Sequence, residues 1–406
     1  MPSRTRGRET KLETGTKSRQ TADLRADNTA AILSSILRHQ YVSRQQLIHS
    51  TGLAASTVST ITGELIDRGT IQRAGNTGTG GAGRKTELLS RRPEAAYSAA
   101  VHFTPEQVRI GIVDFGYELV GYKNLSFDDG FNEESTGLVI EELNKLIDAG
   151  GLEAGVSAVG LALPTHTFDN GVILSRFRES FDTPVIYINN VEAMAMCEYY
   201  FLLGTSLNTF VFVYVGTGIG STFIIDGELY RGTTGRASDF GHTYITDRPI
   251  LCNRCGRQGC LEAVASESAL SRELRAHYTS LPPLTQQNLI PMVADLVRKE
   301  DPYAIEIVQR AADYLGKGIS NLTSVLDPES VVVTGRINGM NPYFSNLVEL
   351  AYRDQAREGA FPVAPLHFIP LREDAGITGT AMVCFKTLFC GGLRSAGAQM
   401  TKIAAP

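Results

Sequence analysis

Apolar residues follow a helical period over the first part of the chain. Residues 28–40 carry two apolar pairs four positions apart, and a shorter run at 44–51 is preceded by Ser43 and ends at Gly52. A third run, residues 53–69, keeps its large apolar side chains on one face. Two short helices around a glycine turn predict a helix-turn-helix.

The opposite face of the third helix carries small hydroxyl side chains, which are Ser56, Thr57, Ser59 and Thr60. After it, residues 70–90 predict two short strands joined by a glycine-rich turn that bears Arg84 and Lys85. This is the pattern of a winged helix-turn-helix, in which the helix enters the major groove of double-stranded DNA and the wing contacts phosphates. Arg44, at the start of the preceding helix, is a further candidate DNA contact.

The local sequence limits the base contacts that the third helix can make, whereas the charge of the segment favours DNA binding. Ala54 and Ala55 stand where a helix cap and a long base-reading side chain would be expected, so base contacts should be few. A helical bundle without a ligand, or a protein-interaction module of the same shape, would show the same apolar pattern. Charge favours DNA, because residues 1–92 hold 15 Lys and Arg against 7 Asp and Glu, whereas 93–406 hold 23 against 36.

Strands alternate with helices from residue 93 onward, which predicts an α/β body. Within it, residues 210–231 place G-T-G-I-G between two apolar runs, so Gly216, Gly218 and Gly220 would form a tight turn between strands. The amides of such a turn can face a phosphate. A hairpin that uses glycine only for its turn geometry fits equally well, and the motif alone does not decide between them.

Cysteines are concentrated in one loop. Three of the six lie in residues 251–262 and the other three are scattered singly, which argues against a disulfide framework. The chain shows no signal-peptide pattern and no apolar stretch of ~18 residues, so we expect a cytoplasmic protein without membrane contact. Together with His242, the thiols of Cys252, Cys255 and Cys260 form the ligand set of a structural Zn²⁺ site with no open position for catalysis.

Three segments, in this order and spacing, resemble the ROK family, which comprises repressors, open reading frames and sugar kinases. They are GTGIGS at 216–221, GRASDFGH at 235–242 and CNRCGRQGCLEAVAS at 252–266. The winged-helix segment and DAGITGTA at 374–381 extend the resemblance over nearly the whole chain. It implies an actin-like, ribonuclease H-like fold of two lobes around a sugar and ATP cleft, with zinc beside the sugar and assembly into dimers or tetramers.

The chain departs from the family's kinases at three places. The kinases have D-x-G-G-T where this chain has HFTPE at 102–106, and an Asn-Asp pair where it has Asn189-Asn190. Proline lacks the amide hydrogen that would bind phosphate, and an amide side chain cannot act as a general base. Arg336 stands in a segment that resembles the family's nucleoside-side glycine cluster. The resemblance therefore implies a body without phosphoryl-transfer activity, and we expect no enzyme.

The family's sugar-binding pattern is altered as well. Asp239 replaces a sugar-contacting glutamate and is one methylene shorter, while Asn189, His242 and Glu262 remain as candidate effector contacts. We expect a sugar-like or other small-molecule effector, or none. The cysteine spacing C-x2-C-x4-C is one residue longer than the family's C-x-C-x4-C, which leaves Cys252 as the least secure zinc ligand.

These patterns predict a disordered basic tail at 1–20, a winged helix-turn-helix at 21–92, a two-lobed ROK-like domain at 93–390 and a flexible tail at 391–406. Within the ROK-like domain, the lobe boundary is expected near 190–205 and the zinc loop spans 242–262. The predicted function is transcriptional regulation, by a repressor that binds a DNA operator as a homo-dimer or homo-tetramer. Two alternatives stay open: an ATP-dependent sugar kinase that retains a regulatory DNA-binding domain, and a zinc-stabilised oligomer that acts through protein contacts.

Overall fold

The structure is a computed structural model of the chain. It describes residues 9–77, 86–104, 107–127, 131–152, 155–165, 168–201, 207–356 and 363–391, and for residues 9–22 it describes the backbone alone. The chain divides into two compact units: the first contains the residues up to Tyr200 and from Gly376, and the second contains Phe201–Ala375. The chain first crosses between the units after Tyr200.

The first unit begins with three helices and a small sheet. The helices are α1 (Glu9–Arg38), α2 (Arg44–Thr51) and α3 (Ala55–Asp67), and the strands are β1 (Val42–Ser43), β2 (Ile71–Thr77) and β3 (Thr86–Arg91). The strands are antiparallel in the order β1-β3-β2. α1 starts earlier than the predicted domain boundary at residue 21, in a polar segment whose sequence shows no apolar period.

Local sequence explains where α2 and α3 begin and end. Ser43 and Gln46 form a capping box at the start of α2, and Gly52, with φ of 68°, ends the helix in the left-handed region. Ala54 precedes α3 without a side-chain cap. One buried apolar cluster joins the helices to the sheet: Ile32, Leu33, Ile36, Val42, Leu47, Val58, Ile61, Leu65, Ile71 and Leu89. The predicted helix-turn-helix and the strands of its wing are therefore both present.

A five-stranded sheet follows in the first unit. Its strands are β4 (Tyr97–Phe103), β5 (Gln107–Asp114), β6 (Leu119–Ser126), β7 (Ala158–Leu163) and β8 (Val185–Asn189), in the order β6-β5-β4-β7-β8. β4, β5 and β6 form an antiparallel meander, and β7 and β8 run parallel to β4. The accompanying helices are α4 (Thr136–Ala149), α5 (Asn170–Ser180) and α6 (Asn190–Phe201).

The second unit repeats this strand order. Its strands are β9 (Phe210–Val215), β10 (Ile219–Ile225), β11 (Glu228–Tyr230), β12 (Ser330–Thr334) and β13 (Leu366–Phe368), in the order β11-β10-β9-β12-β13. The G-T-G-I-G motif forms the hairpin turn between the antiparallel strands β9 and β10. The helices of this unit are α7 (Leu261–Ala265), α8 (Glu267–His277), α9 (Leu289–Arg298), α10 (Pro302–Leu326) and α11 (Tyr343–Gln355).

The chain returns to the first unit as α12 (Ala375–Phe389), which packs closely against other parts of that unit. Glycine permits the approach at two points. A Cβ atom at Gly376 would overlap the His102 imidazole, and one at Gly379 would overlap the backbone carbonyl of Ala193. The glycines of the DAGITGTA segment therefore have a packing role in this structure.

Candidate metal centre and candidate DNA-binding surface

The four predicted metal ligands come together in the second unit. One ligand atom from each of His242, Cys252, Cys255 and Cys260 lies within 4.8 Å of all the others. The Cys252 sulfur is 3.7 Å from His242 Nδ1, and the sulfurs of Cys255 and Cys260 are 3.5 Å apart. The longer cysteine spacing therefore does not remove Cys252 from the cluster, which could hold a metal ion.

Backbone hydrogen bonds shape the loop that carries these ligands. The Cys252 amide donates to the Arg257 carbonyl at 2.8 Å, and the Gly256 amide donates to the Cys252 carbonyl at 2.9 Å. Gly259 has φ of 78°, and a Cβ there would lie 2.5 Å from the Thr246 carbonyl oxygen. Only glycine fits that position without strain. The tight turn brings Cys252 and Cys260, both buried, back beside His242.

The three thiols differ in their acidity. Burial raises the pKa of Cys260 to about 12 and also raises the pKa of Cys252. Burial acts most strongly on Cys255 too, but hydrogen bonds with Arg257, Cys260 and Cys252 together outweigh it and lower the pKa of Cys255 to about 7. The first thiolate therefore forms at Cys255, and a nearby cation would help the other two to ionise. A tetrahedral ion with ~2.3 Å bonds to sulfur places two sulfurs ~3.8 Å apart, close to the spacing found here.

Glu262 connects the metal loop to the glycine hairpin. Its Oε2 accepts a 2.9 Å hydrogen bond from the Ile219 amide, and its Oε1 lies 3.3 Å from Nε of Arg254. A Cβ at Gly218 would lie 2.5 Å from Glu262 Oε2. A carboxylate therefore already occupies the side of the turn where Gly218 lies. Sequence reasoning missed Arg254, although the extra residue between Cys252 and Cys255 was the signal that could have pointed to it.

The other candidate effector contacts also have partners within their own units. Asp239, in the second unit, forms a 2.8 Å ion pair with Arg236. Asn189, in the first unit, donates to the Thr165 hydroxyl at 2.6 Å and accepts from the Val191 amide at 2.8 Å. The sequence pattern gave no indication of the Arg236 pairing, because an i,i+3 ion pair in an irregular loop has no periodic signature.

The positions compared with kinase motifs lie as follows. His102 is buried in β4, where burial and, secondarily, Arg109 lower its pKa to about 3, so the imidazole is neutral at pH 7. Asn190 is the first residue of α6. Arg336 forms a 2.6 Å ion pair with the buried Glu267. Residues 105 and 106 of the predicted degenerate phosphate loop lie outside the described residues.

The candidate DNA-binding face of α3 is accessible. Ser56, Ser59 and Thr60 are exposed and Thr57 is half-buried, while the apolar side of the helix packs into the core. The side of α3 that carries Ser56, Ser59 and Thr60 thus faces away from the core of the helix-turn-helix. A helix with this surface can enter a major groove with small side chains near base edges and phosphates.

Of the three predicted cationic DNA contacts, only Arg44 lies within the described residues. Arg44 donates through Nε to the Thr62 hydroxyl at 2.9 Å and pairs with Glu87, a residue that Arg73 also contacts at 3.0 Å. Several donors of Arg44 are therefore directed into the domain. Arg84 and Lys85, which the sequence analysis assigns to the wing, lie outside the described residues.

Within the described ranges, every helix is too short or too polar to span a bilayer.

Comparison with known proteins gives three kinds of similarity. The model of the ROK family matches residues 160–386. The xylose repressor of Bacillus spizizenii is 25% identical over 335 residues, which cover 79% of this chain and 85% of that protein. The DNA-binding transcriptional dual regulator NagC of Escherichia coli K12 is 22% identical over 348 residues, which cover 81% and 85% respectively.

Solved structures show the same fold. A ROK family transcriptional regulator, described as a homolog of the E. coli MLC protein, superposes with a TM-score of 0.70 at 20% identity and covers 94% of this chain and 99% of its own. The ROK hexokinase from Thermus thermophilus superposes with a TM-score of 0.60 at 25% identity and covers 70% and 97%. The predicted α/β fold class, a winged helix-turn-helix joined to an actin-like body, is confirmed.

Proposed function

Because this chain belongs to the ROK family, we propose that it is a DNA-binding transcriptional repressor with a kinase-like body that no longer transfers phosphate. The observation that carries the proposal is the exposed hydroxyl face of α3, held by a capped α2 and an apolar core in a helix-turn-helix. A relative named as a xylose repressor and one named as a transcriptional dual regulator each match about four fifths of the chain. The binding partner is a double-stranded DNA operator, recognised by a homo-dimer or homo-tetramer.

Three features support the loss of phosphoryl transfer. The first-unit turn lacks the family's glycines, and Asn190 replaces the general base. Arg336 is engaged by Glu267 rather than free for a nucleotide.

The metal cluster has a structural role in this proposal. His242, Cys252, Cys255 and Cys260 supply four ligands, which suits a closed tetrahedral zinc ion. Such an ion would fix residues 242–262 and with them Glu262. Asn189, Asp239, His242 and Glu262 remain the proposed contacts for a sugar-like or other small-molecule effector.

The test is fluorescence anisotropy of the zinc-loaded protein against its own upstream genomic fragments at two salt concentrations. We expect selective binding that weakens steeply with salt, because each neutralised phosphate contributes about −0.9 to the slope of log K against log salt. The Arg84→Ala/Lys85→Ala variant should bind more weakly and with a slope smaller by roughly 2 per chain. Lys123→Ala/Lys145→Ala removes the same charge from the body and is the matched control. Salt-independent binding, or none, would overturn the proposal.

The hexokinase similarity favours a second candidate, a sugar kinase that retains a regulatory DNA-binding domain. A coupled assay with ATP and a panel of hexoses separates the two functions. Turnover that depends on both ATP and a sugar would establish the kinase. Its absence, together with operator binding, would leave the repressor.

A further inference from the structure

Arg91, the last residue of β3, is a buried arginine that joins three separate segments of the first unit. It is 4% exposed. Its guanidinium donates to the carbonyls of Ile36, Leu37 and His39 at 3.1–3.2 Å, to those of Phe115 and Gly116 at 2.8 and 3.2 Å, and to the Tyr200 hydroxyl at 2.6 Å. These acceptors lie at the end of α1, in the turn between β5 and β6, and near the end of α6.

The chemistry of this contact is specific to arginine. The last carbonyls of a helix have no partner within the helix and carry the negative end of its dipole, so a cation placed there is stabilised. A planar guanidinium offers five donors in fixed directions, whereas a lysine ammonium is a compact charge with three. The hydrogen bonds of Arg91 go to neutral oxygens of α1, of the β5–β6 turn and of α6, which ties these segments together.

Tyr117 adds to the contact at a conformational cost. Its φ is 76°, in the left-handed region that a bulky side chain rarely adopts. The ring lies 3.9 Å below the Arg91 guanidinium, and the hydroxyl donates to the Leu37 carbonyl at 3.1 Å. It also meets the Tyr200 ring edge-on at 4.9 Å. Strain of this kind persists only where the surroundings hold it in place.

The same cluster contains residues from both helices that connect the first unit to the crossings between the units. The first crossing follows Tyr200, near the end of α6, and the second precedes Gly376, at the start of α12. From α12, the rings of Phe385 and Phe389 contact the Phe115 ring at 5.1 and 4.7 Å. Phe389 also packs against the core of the helix-turn-helix. Both crossing helices therefore reach the residues around Arg91.

We propose that Arg91 is a positioning residue that couples the DNA-binding domain to the body. The Arg91 junction, defined as Arg91, residues 115–117, Tyr200 and Phe389, holds α1 and the helix-turn-helix on the β5–β6 turn as one body. A displacement of α6 or α12 then moves α3, the helix proposed to enter the major groove, instead of being absorbed by a flexible linker. The regulatory part of this inference rests on the proposed function, whereas the mechanical part does not.

Hydrogen–deuterium exchange of the full-length, zinc-loaded protein tests the mechanical part. In Arg91→Lys, amides of residues 44–67 should exchange roughly tenfold faster than in the wild type. The reason is that the helix-turn-helix of the variant can open locally while the sheet that contains β4 and β5 stays closed. Amides of β4 and β5 should change less than about twofold. Tyr200→Phe removes one acceptor and should shift exchange in the same direction by a smaller factor. Arg92→Lys, at the exposed neighbouring arginine, is the matched control and should match the wild type.

Equal acceleration in the helix-turn-helix and in the sheet would show that Arg91 only stabilises the fold, and would overturn the proposal. No acceleration in either would overturn it too. These outcomes do not depend on whether the protein binds DNA.

The regulatory part is tested with operator fragments in which the distance between half-sites is changed by added base pairs. The wild type should prefer one spacing, and Arg91→Lys should lose at least about fivefold of that preference while binding a single half-site as before. Retained spacing preference in Arg91→Lys would refute the coupling. If the wild type binds no fragment, the proposed function and the regulatory role both fail, while the exchange experiment still decides the mechanical role.

Discussion

The two five-stranded sheets share a strand order, yet their first hairpins are held in different ways. Between β4 and β5, the hydroxyl and the amide of Thr104 both donate to the Gln107 carbonyl, at 2.8 and 3.0 Å. Between β9 and β10, the Gly216 amide donates to the Gly218 carbonyl, and the Ile219 amide donates to the Glu262 carboxylate. The first hairpin is closed by hydrogen bonds between its own residues, whereas the second also uses the side chain of Glu262, at the end of the metal loop.

The difference shows what a shared topology does and does not determine. Buried apolar strands produce the same order in both units, but the polar chemistry is concentrated in the second, where residues 242–262 add thiols, an imidazole and the Glu262–Arg254 pair. We therefore expect the second unit to depend on a metal ion. The first unit should respond to changes in packing and in the protonation of His102.

The largest expected effect is that of removing a metal ligand. Cys260→Ser should reduce bound zinc from about one ion per chain to nearly none and lower the free energy of unfolding of the second unit by on the order of 3 kcal/mol or more, because metal binding is coupled to folding. Elemental analysis and urea unfolding followed by hydrogen exchange measure both quantities. Cys390→Ser, outside the cluster, should keep its zinc. A full equivalent of zinc in Cys260→Ser would contradict the ligand assignment.

A smaller effect is expected at the glycine hairpin. Gly218→Ala places a methyl group against the Glu262 carboxylate and should destabilise the protein by about 1–3 kcal/mol, as overpacking does. Gly137→Ala in α4 meets no atom within 4 Å and should be neutral or stabilising by up to ~1 kcal/mol. Denaturant unfolding compares them. In a double-mutant cycle, Gly218→Ala should lower the free energy of unfolding by less in the Glu262→Ala background than in the wild type. Strictly additive effects would show that Glu262 does not cause the destabilisation.

The first unit should lose stability in mild acid because of His102. Burial lowers the pKa of His102 to about 3 in the folded state, while the unfolded chain has the ordinary value of about 6.5. Between these values the unfolded state binds more protons, so the free energy of unfolding falls by about 1.4 kcal/mol from pH 7.5 to 5.5 and continues to fall towards pH 3.

His102→Phe should abolish that component, since both ring nitrogens of His102 lack hydrogen-bond partners among the described residues. Urea unfolding at pH 7.5 and 5.5 gives the comparison. An unchanged pH dependence in the variant would assign the effect to other groups.

The smallest expected effect is none at all. Asn190→Asp restores a carboxylate at the start of α6, but the first-unit turn still lacks its glycines and Arg336 is still paired with Glu267. The variant should therefore show no ATP-dependent phosphorylation of any hexose in a coupled assay. Measurable turnover would mean that Asn190 alone accounts for the missing activity.

Features with a local or periodic cause could be predicted from the sequence. The apolar face of α3, the stop at Gly52, the uncapped Ala54 and the strand-to-strand glycine turn all follow from residues a few positions apart. The metal cluster could be predicted because three of its ligands lie within nine positions. The inclusion of Cys252 needed the structure, since loop geometry decides which of two spacings a tetrahedral site accepts.

Contacts between distant residues left no signal in the sequence. Arg91 bonds to Ile36 and to Tyr200, which are 55 and 109 positions away, and no period or spacing links them. The Arg254–Glu262 and Arg236–Asp239 pairs are closer in sequence, but at least one partner of each lies in an irregular loop, where no regular spacing indicates which charges meet. Such pairs depend on the tertiary fold, and periodicity describes only one element at a time.

The discontinuity of the first unit has a consequence for biosynthesis. Residues 201–375 are inserted within it, so a ribosome completes the second unit before it makes α12. Until then the sheet of the first unit lacks the helix that packs on His102 and Ala193, and the helix-turn-helix lacks the contacts of Phe389 and Cys390. Domains fold as their chain is supplied. A fully packed helix-turn-helix therefore exists only in a polypeptide that already includes α12.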